Sequence, residues 1–226
     1  MIFGWLVNLA MPTLTAFLSM WVHESGHAMA AWMCGYPAFP TAWWTFIGER
    51  SRLFSLVLGA LLVAGGYVAY RMERWFWVAV SAGALVLMIA GNLQTEFQSR
   101  KLFTFWGDGG AYVLSTVLMM TFYARPGSTI TRNQVRWGLL ILGALAFWSV
   151  YSRWSGGFEN IANALEDTDE RGPSDPMLLT TMYGWPIYVL IHRYLRLGQV
   201  CLAALGVAYA VGIVRARRAE AELPSE

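Results

Sequence analysis

Long stretches without a side-chain charge alternate with short polar clusters along the chain. Residues 1–20, 53–70, 75–93, 111–124, 137–152 and 197–214 contain no Asp, Glu, Lys or Arg. A helix that crosses a bilayer needs roughly 20 mostly apolar residues. The pattern predicts an all-α fold, a polytopic transmembrane helical bundle with six spans at 2–33, 53–70, 75–93, 109–124, 135–152 and 197–214. A seventh segment at 177–195 is apolar but interrupted by Pro186, and fits a further span or a re-entrant or interfacial helix. The first span is longer than one crossing requires, so it is expected to tilt, break or project, with Pro12 as a kink point.

Two connections stand apart from this pattern. Residues 35–52, GYPAFPTAWWTFIGERSR, are rich in aromatics and threonine and contain two prolines. Trp43 and Trp44 suit a membrane interface, and Thr41 to Ile47 reads as a short strand. A short membrane-associated strand region is therefore expected after the first span. Residues 153–176 contain EDTDERGPSDP, an acidic, turn-rich loop expected in solvent. The chain thus divides into a core at 1–124 and additional transmembrane helices at 125–226.

Composition strengthens the membrane reading. The chain is 57% hydrophobic and 13% charged, against about 25% charged in soluble domains. The formal net charge is +2 and no basic run points to nucleic acid. The N-terminus lacks a basic n-region, so it is expected to remain as the first span. Cys34 and Cys201 are far apart without metal-type spacing, and read as packed thiols. The 16 Lys and Arg divide equally between the two sides of a six-span threading, which leaves orientation open.

One apolar run carries ionisable groups, WVHESGHAMAA at residues 21–31. An unpaired charge at the bilayer centre costs at least roughly 2.5–3.5 kcal/mol, and such residues default to a functional reading. His23-Glu24-Ser25-Gly26-His27 fits H-E-x-x-H. On a helix, positions i and i+4 share a face, so both imidazoles can ligate one zinc. Glu24 can take a proton from a water on that metal. Two of the three histidines in the chain fall in this single turn. The competing reading is that the three side chains satisfy polar partners in the bundle or sit near the interface.

A catalytic zinc usually has three protein ligands and one open position. Asp108, in FWGDGGAYVLSTVLMM, is the leading third candidate, ahead of Glu96, Glu159 and His192. Glycines at 107, 109 and 110 would allow close backbone approach there. Asp108 equally suits an N-cap at the mouth of span four. Six-span threading brings the start of span four to the membrane face where span one ends, which favours Asp108 as a ligand.

These residues resemble the site-2 protease family of intramembrane metalloproteases, peptidase family M50. HESGHAMAAWMCGYP is similar to that family's zinc-binding helix, and Gly107-Asp108-Gly109-Gly110 to its later Asp-Gly element. The resemblance implies His23, His27 and Asp108 as zinc ligands and Glu24 as the base. It also implies a strand region near the site that could hold an unwound substrate by strand addition. The family's Asn and Pro before the Asp-Gly motif have no counterpart here, and no PDZ-like domain is present.

The expected function is therefore a zinc-dependent intramembrane endopeptidase, an integral, multi-pass protein in contact with membrane lipid and a transmembrane polypeptide substrate. The alternative is a non-catalytic integral subunit of a larger membrane complex, bound to partner subunits. Haem or chlorophyll ligation ranks last, because histidines four apart on one helix cannot clamp both faces of a haem.

Overall fold

The computed structural model describes residues 12–124, 131, 133–156, 168–169 and 172–221. In chain order the elements are α1 (Pro12–Met33), β1 (Ala38–Pro40), β2 (Thr45–Ile47), α2 (Arg52–Arg71), α3 (Trp75–Asn92) and α4 (Glu96–Met120). A 3-10 turn at Thr121–Tyr123 follows, then α5 (Val135–Ser155), β3 (Thr168–Asp169), β4 (Gly172–Pro173), helical turns across 175–182, and α6 (Ile187–Ala221). The fold is predominantly helical, with two small antiparallel strand pairs. Four helices, α2, α3, α5 and α6, are long and apolar enough to cross a membrane.

Two compact units divide the chain, one formed by His23–Gly110 and the other by the remainder, and the boundaries fall inside α1 and α4. In the first unit, Ala30, Ala31, Cys34, Tyr36 and Phe103 form the buried core, with Ala38, Ile47 and Trp106 packed against it. The turn after α1 depends on Gly35, whose φ of +83 lies in the left-handed region. A Cβ there would also stand 2.5 Å from Ser55 Oγ and 2.6 Å from Asn92 Oδ1.

Helix C-termini leave carbonyls without intrahelical donors, and Asn92 supplies one for α1. Its amide donates to Met33 O at 3.3 Å and Met88 O at 2.8 Å, and its Oδ1 accepts from Ser55 Oγ at 2.8 Å. Arg50 serves the end of α3 in the same way, donating to Gln94 O at 2.9 Å, to Gly91 O at 3.4 Å and to Asn92 O. Ser51 caps α2 through Phe54 N at 3.2 Å. The α2–α3 hairpin packs tightly where Gly59 faces Met88. Its outward residues, among them Leu53, Leu56, Leu61, Trp75, Phe76, Val86 and Leu87, are exposed and apolar.

In the second unit, one face of α5 makes the core. Gly143, Phe147, Val150 and Trp154 are buried at the i, i+4, i+7, i+11 spacing of a single helical stripe. Tyr112 meets Phe147 edge-on at 5.3 Å, and Trp154 lies against Tyr194 at 4.4 Å between ring centroids. Gly143 lets the backbone of Ser115 approach, since a Cβ would stand 2.7 Å from Ser115 O. Both cysteines are free and buried.

Several expected boundaries move. Span four, expected at 109–124, belongs to a helix that starts at Glu96. The polar run before it is the solvated first turns of that helix rather than a linker. Thr95 Oγ1 accepts from Gln98 N at 3.3 Å, and Arg100 pairs with Glu96 at 2.9 Å across one turn. Asp108 accordingly lies in mid-helix and is not an N-cap.

The expected span at 197–214 lies within α6, which also takes in the second half of the segment at 177–195, while the first half forms the separate helical turns across 175–182. The segment is interrupted at Pro186 as expected, between the turns ending at Met182 and the start of α6. Pro186 O then accepts from Val189 N and Leu190 N at the opening of the helix, where a proline's missing N–H is not needed. The strand expected over Thr41 to Ile47 is shorter. Thr41 closes a turn onto Trp44 O at 2.7 Å, and only Thr45–Ile47 pairs, in register Ala38↔Ile47, Phe39↔Phe46 and Pro40↔Thr45. Residues 2–11, Glu159 and most of the acidic loop lie outside the described residues.

Candidate metal centre

All of the site's groups come from the unit His23–Gly110. Helix α1 contributes His23, Gly26 and His27, three positions on one helical face. Helix α4 answers with Phe103, Trp106, Gly107 and Gly110, spaced i, i+3, i+4 and i+7. The two helices approach closely because both carry glycine at the crossing. A Cβ on Gly26 would collide with Trp106 O and lie 2.9 Å from Gly110 Cα, and one on Gly110 would collide with Gly26 Cα. This contact brings the α4 backbone to within hydrogen-bonding range of the imidazoles.

Each imidazole is held through Nδ1. His27 Nδ1 donates to Phe103 O at 2.6 Å. His23 Nδ1 donates to Asp108 Oδ1 at 3.0 Å. Both acceptors are oxygen atoms, so both rings carry their proton on Nδ1, and the hydrogen bond on one nitrogen sets the role of the other. The Nε2 lone pairs then face each other, 3.1 Å apart. Two lone pairs at that distance repel unless a cation lies between them.

The separation suits zinc. Two nitrogens bound at about 2.05 Å in tetrahedral geometry stand about 3.3 Å apart. His23, Glu24 and His27 offer ligand atoms that all lie within 4.8 Å of one another, and two imidazoles with a carboxylate are a donor set zinc accepts. A proton shared between the rings would meet the same repulsion, and metal analysis separates the two cases.

Glu24 and Asp108 are buried, where an uncompensated charge is strongly disfavoured. Glu24 is compensated from β2. Thr45 Oγ1 lies 2.7 Å from Glu24 Oε2 and 2.8 Å from Glu24 O. Strand β2 is itself tied to α1 through its partner, since Trp32 Nε1 donates to Ala38 O at 2.9 Å.

The structure brings His23, Glu24, His27 and Asp108 together. Asp108 meets His23 through Nδ1, the ring nitrogen other than the one that faces His27. That contact would form the outer half of a carboxylate–histidine–metal triad were a metal bound at Nε2, in place of the direct ligation expected from sequence. The two roles separate experimentally. As an orienting group, Asp108→Asn lowers zinc affinity by about 10–100-fold and leaves the stoichiometry at saturating zinc unchanged. As a direct ligand, its replacement removes stoichiometric zinc altogether. Competition with a chromophoric chelator reads both quantities.

The other candidates lie elsewhere. Glu96 is exposed and paired with Arg100, and His192 is exposed on α6 in the other unit. Gly107, flagged in the sequence for close backbone approach, acts through the absence of a side chain. Two contributors carried no sequence signal, Phe103 through its backbone carbonyl and Thr45 from 21 residues away. Comparison with family models, with curated proteins and with solved structures finds no match.

Proposed function

We propose that the chain is an integral, multi-pass membrane peptidase that uses zinc to hydrolyse peptide bonds in membrane-embedded polypeptides. The observation that carries this reading is the pair of Nε2 atoms 3.1 Å apart, with both Nδ1 atoms engaged and Glu24 on the same helical turn. Four apolar helices and the exposed apolar faces of α2 and α3 support a bilayer setting, in which α1 and α4 complete six spans. The resemblance of HESGH and of Gly107-Asp108-Gly109-Gly110 to the site-2 protease family adds to it.

His23 and His27 hold the metal through Nε2. Phe103 O and Asp108 keep the rings from rotating and sustain their basicity through Nδ1. Zinc, when bound, supplies Lewis acidity for water and for a peptide carbonyl. Glu24 takes the proton from the attacking water at its carboxylate and returns it to the leaving amine nitrogen. Burial of Glu24 keeps bulk water from competing for that proton. A helical substrate must unwind first, because its carbonyls are bonded within the helix, and the β1–β2 pair lies beside Glu24 as a template for an extended segment.

The test uses purified protein in lipid vesicles with a quenched-fluorescent peptide that forms one membrane span broken by Gly-Pro. Cleavage is expected, is lost on treatment with a zinc chelator and returns with added zinc. Stoichiometric zinc without cleavage favours the non-catalytic subunit instead.

A further inference from the structure

We infer that Thr45 is a positioning residue for Glu24, and that the β1–β2 pair sets the orientation of the base. This rests on the peptidase reading of the site. The chain separates the two residues widely, yet one hydroxyl lies within hydrogen-bonding distance of two oxygens of the same glutamate, Oε2 at 2.7 Å and the main-chain O at 2.8 Å. The hydroxyl has a single proton, shared between the two or given to Oε2, and donated to Oε2 it fixes the carboxylate against β2. A free glutamate side chain has three rotatable bonds, and a base must sit within about 0.5 Å of its productive place.

The strand supplies the required precision. Successive side chains on a strand point to opposite faces. Phe46 is exposed, while Thr45 and Ile47 face inward. Ile47 packs against the core formed by Ala30, Ala31, Cys34, Tyr36 and Phe103. A slip of one residue would expose Ile47 and bury Phe46, so the packing of Ile47 fixes where Thr45 falls. The pairing Ala38↔Ile47 and Pro40↔Thr45 holds the register from the other strand.

A hydroxyl suits this contact, because its one donor can serve either glutamate oxygen within reach. Valine matches threonine in shape and lacks that donor. Serine keeps it.

The experiment compares Thr45→Val and Thr45→Ser by three readouts in the vesicle system. Thr45→Val is expected to keep stoichiometric zinc and to lower kcat for the Gly-Pro span peptide by about tenfold or more, with KM within about twofold. Thr45→Ser is expected to recover to within about threefold of wild type. Thermal unfolding of Thr45→Val, Glu24→Ala and the double variant is expected to be non-additive, as it is for groups in direct contact.

Loss of zinc in Thr45→Val, a change confined to KM, or no recovery with serine overturns the inference. Additive unfolding shifts overturn it whether or not the protein cleaves anything. A wild type that does not cleave the peptide overturns the peptidase reading, and the unfolding coupling then decides the Thr45–Glu24 contact by itself.

Discussion

Glu24→Gln is expected to keep about one zinc per chain, because His23 and His27 hold the metal, and to lose about 10²–10⁴-fold in peptide cleavage, the range for a positioned general base. The amide is nearly isosteric with the carboxylate. Its oxygen can still accept from Thr45 Oγ1, which lies 2.7 Å from Glu24 Oε2, so the β1–β2 pair keeps its place. What is lost is the capacity to take a proton from water. Turnover of the Gly-Pro span peptide, measured beside zinc content on the same preparation, checks both halves. Joint loss of zinc and cleavage would instead make Glu24 a ligand, a role its position within the His23–Glu24–His27 group permits.

The second large effect comes from a residue with no side chain. Gly107→Val is expected to abolish stoichiometric zinc while the helices remain. A Cβ at 107 would stand 2.5 Å from His27 Nε2, 2.6 Å from His27 Cε1 and 2.7 Å from His23 Cε1. Side-chain tips often move aside for such an intrusion. Here neither ring can turn without giving up its Nδ1 bond, to Phe103 O for His27 and to Asp108 for His23. Each of those acceptors is buried or faces the buried contact between α1 and α4, so the lost bond is not replaced by water and costs about 1–3 kcal/mol. Circular dichroism with zinc analysis separates this outcome from unfolding. Gly107→Ala is expected to show the same loss in weaker form.

The helices were legible in the sequence because apolar length needs no partner to be recognised. The expected spans 53–70 and 75–93 correspond to α2 and α3 within two residues at each end, and 135–152 opens at the first residue of α5. Boundaries failed where polarity and helicity part company. Glu96, Arg100 and Lys101 look like a linker by charge, but an i,i+4 ion pair and the Thr95 cap favour helix there. Pro186, by contrast, marks a true interruption, since the turns before it end at Met182 and α6 begins at Ile187.

At the candidate site the i,i+4 histidines and the adjacent glutamate could be read directly, since one helical turn places them together. Asp108 could be proposed from its glycine neighbours, while its contact with Nδ1 of His23 depends on how α1 and α4 cross. Thr45 and the carbonyl of Phe103 enter only through tertiary packing, which no local pattern encodes.

The two Nε2 atoms face each other 3.1 Å apart, a spacing that two nitrogen ligands of one zinc would adopt. Zinc content of the purified wild type, measured beside His23→Ala and His27→Ala by elemental analysis, tests that assignment most directly. About one zinc per wild-type chain is expected, the stoichiometry of a mononuclear site, and little or none in either variant. A wild type that is folded, exposed to zinc and still metal-free would contradict it.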